Sequence, residues 1–285
     1  VAHLVNRANM SFREGAFSEA IEILEQALRL DVEHDSIASA LKCAAFWKER
    51  EQRLSEITDP YERAGYLEKE WETFQPFIGR LENTSDRTVF DIKQYVMNEC
   101  LSGYLSLLAL HPEEEDSDLL LRIGRGYKGL GDYEQAIDHL ERAGRSQRQS
   151  PMILAELADC YALINEDRYA RVLFREAFFI SADLIQLDRL ESPAIRRLID
   201  TIEQAGRPAE EISAWLPVYA TLHGFFSVKR ELKPLELGRL KQAIFAMEQE
   251  LSTGDPSLPL KPRLLNHYFW LIDQYVSAGE EKARI

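Results

Sequence analysis

The stretch SDLLLRIGRGYKGLGDYEQAIDHLERAGRSQRQS (117–150) is followed by PMILAELADCYALINEDRYARVLFREAFFI (151–180), and the two segments match at a spacing of 34 residues. Small residues recur as small, aromatic as aromatic, and large apolar as large apolar. The matching pairs are Gly124 and Ala158, Tyr127 and Tyr161, Ala136 and Ala170, Leu140 and Phe174, and Ala143 and Ala177. A fixed period in this range is typical of stacked supersecondary units. The sequence therefore predicts a surface that holds another molecule and argues against a catalytic pocket.

The pattern resembles the tetratricopeptide repeat (TPR) family, in which small and large apolar residues alternate at fixed positions of a 34-residue unit. A third matching unit opens the chain, although Ser11 stands where the family has an aromatic residue and Phe12 lies beside it. Its matching residues are Ala8, Gly15, Phe17, Ala20, Leu24 and Ala27. The resemblance implies an all-α fold, a TPR-like α-solenoid of antiparallel helix pairs whose core is built by stacking neighbouring pairs.

The 34-residue register covers only part of the chain, and we expect helices of other lengths elsewhere. One of them should start at Pro60 with Asp59 as its cap. The expected segments are a TPR-like repeat at 1–34, long irregular helices at 35–116, two TPR repeats at 117–184, degenerate helical repeats at 185–251, a Pro-rich loop at 252–263 and the start of a further, truncated TPR-like repeat at 264–285.

The two chain ends carry an expectation of their own. The chain begins with Val and stops shortly after Gly279, in a segment that resembles a TPR turn. We therefore expect a fragment of a longer repeat protein, with self-association through the cut repeat end. A signal peptide, a membrane anchor or an enzymatic domain could then lie outside the chain.

Composition limits the classes of partner. The net charge is -14, from 48 acidic and 34 basic residues, and an acidic surface repels phosphate backbones, so we expect no nucleic-acid partner. The longest apolar run, LSGYLSLLAL (101–110), is shorter than the roughly 18 residues that span a bilayer. Cys43, Cys100 and Cys160 form no CxxC motif and are expected to be buried thiols outside disulfides. This favours a cytoplasmic compartment mildly and leaves a periplasmic one open.

No motif in the chain predicts catalysis, a metal site or a cofactor. The six histidines are scattered without an i, i+4 pair or an HExxH motif. The glycines between Gly124 and Gly131 follow no predicted strand and lack the GKS or GKT of a phosphate loop. The acidic run at 113–118 lacks the spacing and central glycine of a calcium loop, so it is interpreted as a solvated charge run.

TPR geometry implies where a partner would bind. In that family the first helix of each unit lines the concave face, and its groove accepts a peptide or helix of another protein. With Arg125 and Lys128 as a small basic spot on an apolar floor, we expect a peptide with one or two acidic groups. The alternative is that the apolar groove residues, which are Phe12, Leu121, Met152 and Leu163, cover neighbouring helices of this chain. The implied peptide-binding residues are Asn9, Phe12, Arg13, Leu121, Arg125, Lys128, Met152, Ala155, Asp159 and Leu163.

The function predicted from the sequence is a protein–protein interaction scaffold or assembly module, and we expect no enzyme. One alternative is the recognition domain of an enzyme or regulator whose active part lies outside the chain. A second is a small-ligand carrier with an apolar pocket around Phe46, Trp47, Trp71 and Phe74. A third is a bacterial flagellar or envelope assembly component, because residues 40–50 and 59–74 resemble segments of bacterial TPR proteins of the flagellar collar type.

Overall fold

A computed structural model describes residues 1–32, 34–110, 116–147, 149–252 and 259–279. Within these ranges the chain has thirteen α-helices, three short 3-10 helices and no strand. The fold class is all-α, a TPR-like solenoid of helix pairs, which confirms the prediction from the repeat period. The chain divides into two compact units, Val1–His139 and Leu140–Ile285.

The first unit is built from six helices and the start of a seventh. Helix α1 packs against α2 and α5, α2 packs against α3, α4 lies between α3 and α5, and α5 also packs against α6. The unit boundary falls inside α7. The helices are α1 (Ala2–Arg13), α2 (Phe17–Leu30), α3 (Asp35–Glu56), α4 (Pro60–Ile78), α5 (Asp86–Leu110), α6 (Ser117–Leu130) and α7 (Tyr133–Ser146).

The second unit contains six further helices. Helix α8 packs against α9, α10 against α11, and α13 against both α11 and α12. The 3-10 helices Ala182–Leu184, Leu187–Arg189 and Ala209–Glu211 lie between them. The α-helices are α8 (Pro151–Leu163), α9 (Asp167–Ser181), α10 (Pro193–Gln204), α11 (Ile212–Leu222), α12 (Pro234–Ser252) and α13 (Leu260–Ser277).

The turns of the matching repeats share one backbone device. A residue one or two positions after the first helix adopts a left-handed conformation in each, with φ of +72° at Gly15, +85° at Gly131 and +65° at Asn165. Glycine takes this conformation without a steric penalty, and asparagine tolerates it better than most residues. Asp132 then caps α7 by accepting a hydrogen bond from the Gln135 N–H at 3.2 Å. The same turn thus recurs where the sequence keeps a compatible residue.

Eight of the ten residues that define the period are buried in the interior, and Tyr127 and Tyr161 are half-buried. Ala136, Leu140 and Ala143 are fully buried, and Ala170 and Phe174 are at most 1% exposed. Small side chains allow neighbouring helices to approach closely, while the large apolar residue fills the space between them. The 34-residue period of the sequence therefore reflects the repeated packing of helices against each other.

One predicted helix start is confirmed, and another helix contains a proline. Asp59 accepts a hydrogen bond from the Glu62 N–H at 2.8 Å, as a cap for a helix starting at Pro60 should. Helix α11 contains Pro217 and continues beyond it to Leu222. Proline removes one donor from a helix, and tertiary packing around the largely buried α11 outweighs that loss.

Parts of three predicted segments lie outside the described residues. They are residues 113–115 of the acidic run, residues 253–258 of the Pro-rich loop, and residues 280–285 at the chain end, on which the expected self-association depends. The predicted segment boundaries themselves stay predictions.

Candidate functional site

The predicted groove positions of the opening repeat face another helix of the same unit. Asn9 is 5% exposed and accepts a hydrogen bond from the Thr88 hydroxyl at 3.2 Å. Phe12 is fully buried. Arg13 donates to Asp91 from Nη2 at 2.6 Å and from Nε at 3.1 Å. Helix α5 therefore occupies the face of α1 on which a partner was expected.

The groove positions on α6 differ in accessibility. Leu121 and Lys128 are each 4% exposed, whereas Arg125 is half-buried. A basic spot for an acidic peptide would therefore depend on Arg125, because the Lys128 side chain is enclosed by the protein.

A neighbouring residue on α6, Arg122, is the centre of a polar cluster in the first unit. Its guanidinium donates to Glu68 at 2.7 Å, to Asp118 at 2.8 Å and to the Tyr104 hydroxyl at 3.3 Å. Burial lowers the pKa of Arg122, but these hydrogen bonds and the Glu68 charge outweigh it and raise the pKa overall. The cluster joins α4, α5 and α6, so it is a structural link in which the arginine stays charged.

In the second unit, Asp159 holds the start of another helix. It is fully buried, and its two carboxylate oxygens accept hydrogen bonds from the backbone N–H groups of Glu191 and Ser192 at 2.7 and 2.8 Å. These residues directly precede α10, where a negative charge is favoured by the helix dipole. Ala155 is 1% exposed. Both residues serve the fold of this unit.

Met152 and Leu163, at the two ends of α8, are half-buried. They are the groove positions of the second unit that keep accessible surface. The alternative interpretation of the groove residues, that they cover the chain's own helices, thus describes Phe12 and Ala155 well and describes Met152 and Leu163 poorly.

An accessible apolar surface lies elsewhere on the second unit. It consists of Leu154 and Tyr161 on α8 and Tyr169 and Val172 on α9, and we call it the α8–α9 surface. Leu154 and Tyr161 are half-buried, while Tyr169 is 60% and Val172 38% exposed. The Tyr161 and Tyr169 rings stack with centroids 5.5 Å apart. Large apolar side chains gathered on one face in this way mark interaction sites more often than single exposed ones do.

A cavity of about 320 Å³ adjoins this surface between α7 and α8. Gly144 leaves room on α7, and Ile153, Leu154 and Leu157 form the apolar wall. The rim carries Arg145 and Glu141, and Glu141 accepts a hydrogen bond from the Tyr161 hydroxyl at 2.7 Å. Burial and this hydrogen bond raise the pKa of Tyr161 to about 12, so its hydroxyl stays a donor at neutral pH.

Sequence reasoning identified Tyr161 only as a repeat position and missed Tyr169 and Val172. The 34-residue period marks side chains that pack inside a repeat. Exposed side chains on the second helix carry no periodic signal, and only the structure shows that Tyr169 stacks on Tyr161.

The apolar cluster proposed as a ligand pocket is filled by its own rings. Trp47 and Phe74 are fully buried, with ring centroids 5.4 Å apart, and Phe46 lies 5.0 Å from Phe74. Trp71 packs on Phe74 at 5.6 Å. A ligand carrier at this place is therefore a wrong prediction, because the aromatic side chains occupy the space.

The part of the chain that the structure describes brings no group of three or more His, Cys, Asp or Glu side chains together for a metal ion. Cys43, Cys100 and Cys160 are buried outside disulfides, and burial raises the pKa of the Cys43 thiol to about 12. Such a thiol is a poor nucleophile at neutral pH. Among the described helices, none combines the length and apolar character needed to cross a membrane.

A comparison with known families identifies one repeat in the chain. The tetratricopeptide repeat family model matches residues 119–152, which are 34 of the chain's 285 residues and cover α6, α7 and the start of α8. No curated protein matches the chain significantly. The match gives no support to a flagellar-collar relationship. With the recurring turn geometry, it supports a TPR-like family and, in general terms, a protein–protein interaction scaffold.

Proposed function

We propose that this protein is an interaction module that binds a helix or extended segment of another protein on the α8–α9 surface. The observation that carries the proposal is the exposed Tyr169 and Val172 beside the stacked Tyr161 ring and the adjoining cavity. A tyrosine whose ring is held by a neighbour loses little conformational entropy on binding, and tyrosines are enriched among the residues that dominate interface energies.

The net charge of the chain favours a partner with basic residues. Beside this surface, Glu166 and Asp167 are exposed at the α8–α9 turn and are followed by the exposed Arg168, and the whole chain carries a net charge of -14. Complementary charge at a rim accelerates association and sets orientation. The partner segment would thus insert an apolar side chain into the cavity and place lysine or arginine near the turn.

The first-helix groove is the second candidate. Met152 and Leu163 favour it in the second unit, because they keep accessible surface where Ala155 and Asp159 do not. An acidic peptide that binds Arg125 is the corresponding proposal for the first unit. No observation favours the recognition domain of an enzyme or an envelope assembly component over a general interaction module.

The experiment selects peptides from a random display library against the purified chain. Fluorescence anisotropy then measures the affinity of the selected peptide for variants of the chain. Tyr169→Glu should weaken binding by about 30-fold, the loss expected for a central aromatic anchor, and Tyr169→Phe should stay within about twofold. Phe245→Glu on α12 is the matched control, because Phe245 is 62% exposed and lies outside the surface.

The outcomes separate the two candidates. Unchanged affinity in Tyr169→Glu would rule out the α8–α9 surface. If Met152→Glu alone abolishes binding, the first-helix groove is the site.

A further inference from the structure

A second cavity of about 370 Å³ lies inside the second unit, among α9, α11, α12 and α13. It is apart from the α8–α9 surface and shares no lining residue with the cavity there. Its volume is within the range of small-molecule sites, roughly 300–1,000 Å³. We call it the α9–α13 pocket. Its walls are mostly apolar and include Phe178, Phe179, Ala214, Pro217, Ala246 and Met247.

The pocket has an aromatic and sulfur-containing wall. Phe179 is held in place by a stack on Trp270, with ring centroids 4.1 Å apart, and by the His267 ring at 6.0 Å. Met247 contributes a polarizable thioether to the same lining. Rings and methionine sulfur both contact flat aromatic groups favourably. The wall is therefore suited to an aromatic ligand.

Two polar side chains that line the pocket, Asn266 and His267, each have one acceptor atom that accepts no hydrogen bond from the described residues. Asn266 is 5% exposed and donates its amide N–H to the Phe178 carbonyl at 3.4 Å, which leaves its Oδ1 as an acceptor. The Nδ1 of His267 lies 2.8 Å from the Arg263 carbonyl and must carry the proton. The Nε2 of a neutral ring is then an acceptor. Burial lowers the pKa of His267, so the ring is neutral at pH 7.5.

The charges at the pocket compensate each other. Arg263 and Asp183 line it and form an ion pair, and both side chains are partly exposed. A neutral ligand thus meets no uncompensated charge there, and a donor on the ligand would pair with these two acceptors. Two acceptors and an apolar wall call for an apolar molecule that carries a donor.

We propose that the α9–α13 pocket binds a flat aromatic group with a single N–H or O–H donor, of which indole and phenol are the simplest examples. The donor would be shared by Asn266 and His267, and the ring would lie against Phe179 and Met247. This chemistry occurs in free small molecules and in the tryptophan and tyrosine side chains of polypeptides. The inference does not depend on the proposed α8–α9 surface.

The test measures binding of indole to the whole chain at pH 7.5 by isothermal titration calorimetry and ligand-observed NMR. A nine-atom ligand should bind with a dissociation constant on the order of 1 mM. Indene has the same shape without the N–H, and it should bind about fivefold more weakly. His267→Phe keeps a ring beside Phe179 but removes Nε2, so it should weaken indole binding about fivefold and leave indene binding unchanged.

A pocket-filling variant decides whether binding occurs at this place. Ala246→Phe adds a ring at an exposed lining position of α12 and should abolish binding of indole and indene. Gln242→Phe adds the same ring at an exposed position outside the pocket and should leave both affinities unchanged. Circular dichroism verifies the helical content of each variant.

Binding of N-acetyltryptophanamide distinguishes the two sources of the aromatic group, a free small molecule and a polypeptide side chain. Binding of indole but not of the amide identifies a free small molecule, and binding of both identifies a polypeptide side chain as a ligand. Absence of indole binding to the wild type, equal binding of indole and indene, or undiminished binding in Ala246→Phe would overturn the proposal.

Discussion

The buried Asp91 carboxylate offers a sharp test of the finding that the α1 face is structural. Asp91 is fully buried in α5, with Arg13 at 2.6 Å on one oxygen and Arg87 at 2.6 Å on the other. The two arginine side chains are 49% and 60% exposed. Each cation therefore stays partly hydrated, while the anion has exchanged water for these two partners.

Because of this asymmetry, we expect the effects of replacing the two arginines to be non-additive. Arg13→Ala or Arg87→Ala alone leaves Asp91 one cation, and each should lower the free energy of unfolding by about 1 kcal/mol, as for a partly exposed pair. The double variant leaves a buried charge without a partner and should cost about 4–5 kcal/mol. The excess over the two single effects, about 2–3 kcal/mol, is the coupling free energy.

A third substitution, made in the double variant, should raise the free energy of unfolding and not lower it further. Adding Asp91→Ala to the double variant removes the stranded charge and should restore about 2 kcal/mol of stability. Urea unfolding followed by circular dichroism at 222 nm measures all four variants. Arg53→Ala is the control, because the Arg53 pair with Glu56 is exposed on both sides and its loss should stay within about 0.5 kcal/mol. A triple variant no more stable than the double would refute the reasoning, as would strictly additive single effects.

Three further predictions concern other parts of the fold. Asp159→Ala should destabilise the chain by about 2–3 kcal/mol in urea unfolding, because two backbone N–H groups before α10 lose their acceptor, whereas the exposed Asp138→Ala should be nearly neutral. Gly103→Ala should lower the melting temperature, since its Cβ would lie 2.5 Å from the Pro60 carbonyl oxygen, and Gly65→Ala, with nothing within 4 Å, should raise stability by up to about 1 kcal/mol. Burial lowers the pKa of His267 from 6.5, so its contribution to stability is complete above pH 6.5 and is lost as the pH falls below it. His267→Phe should therefore flatten the fall in stability between pH 7 and 5, and an unchanged slope would contradict this assignment.

The sequence predicted the parts of the fold that depend on local periodicity. Small residues at Ala136 and Ala170, 34 apart, are typical of helices in close contact, and both are buried as that pattern predicts. The left-handed turns at Gly131 and Asn165 follow from residue type and position in the same way.

The candidate site was less predictable, because TPR geometry gives the position of each residue within its repeat but not the helices that pack around that residue. Asn9 and Arg13 have the right offsets for a groove, yet α5 buries Asn9 and pairs its Asp91 with the partly exposed Arg13, and no feature of residues 1–34 indicates that helix. Asp159 similarly looks like a polar groove residue until Glu191 and Ser192, more than 30 residues away in sequence, are placed against it.

The sequence by itself determined that this protein is a set of paired helices with repeated contacts, since a helix pair is a local unit whose packing residues recur at one spacing. Only the tertiary structure decided which surface remains for a partner. Accessibility depends on helices distant in sequence, such as α5 over α1 and α10 beside α8, and their arrangement is set by long-range packing that no local period encodes.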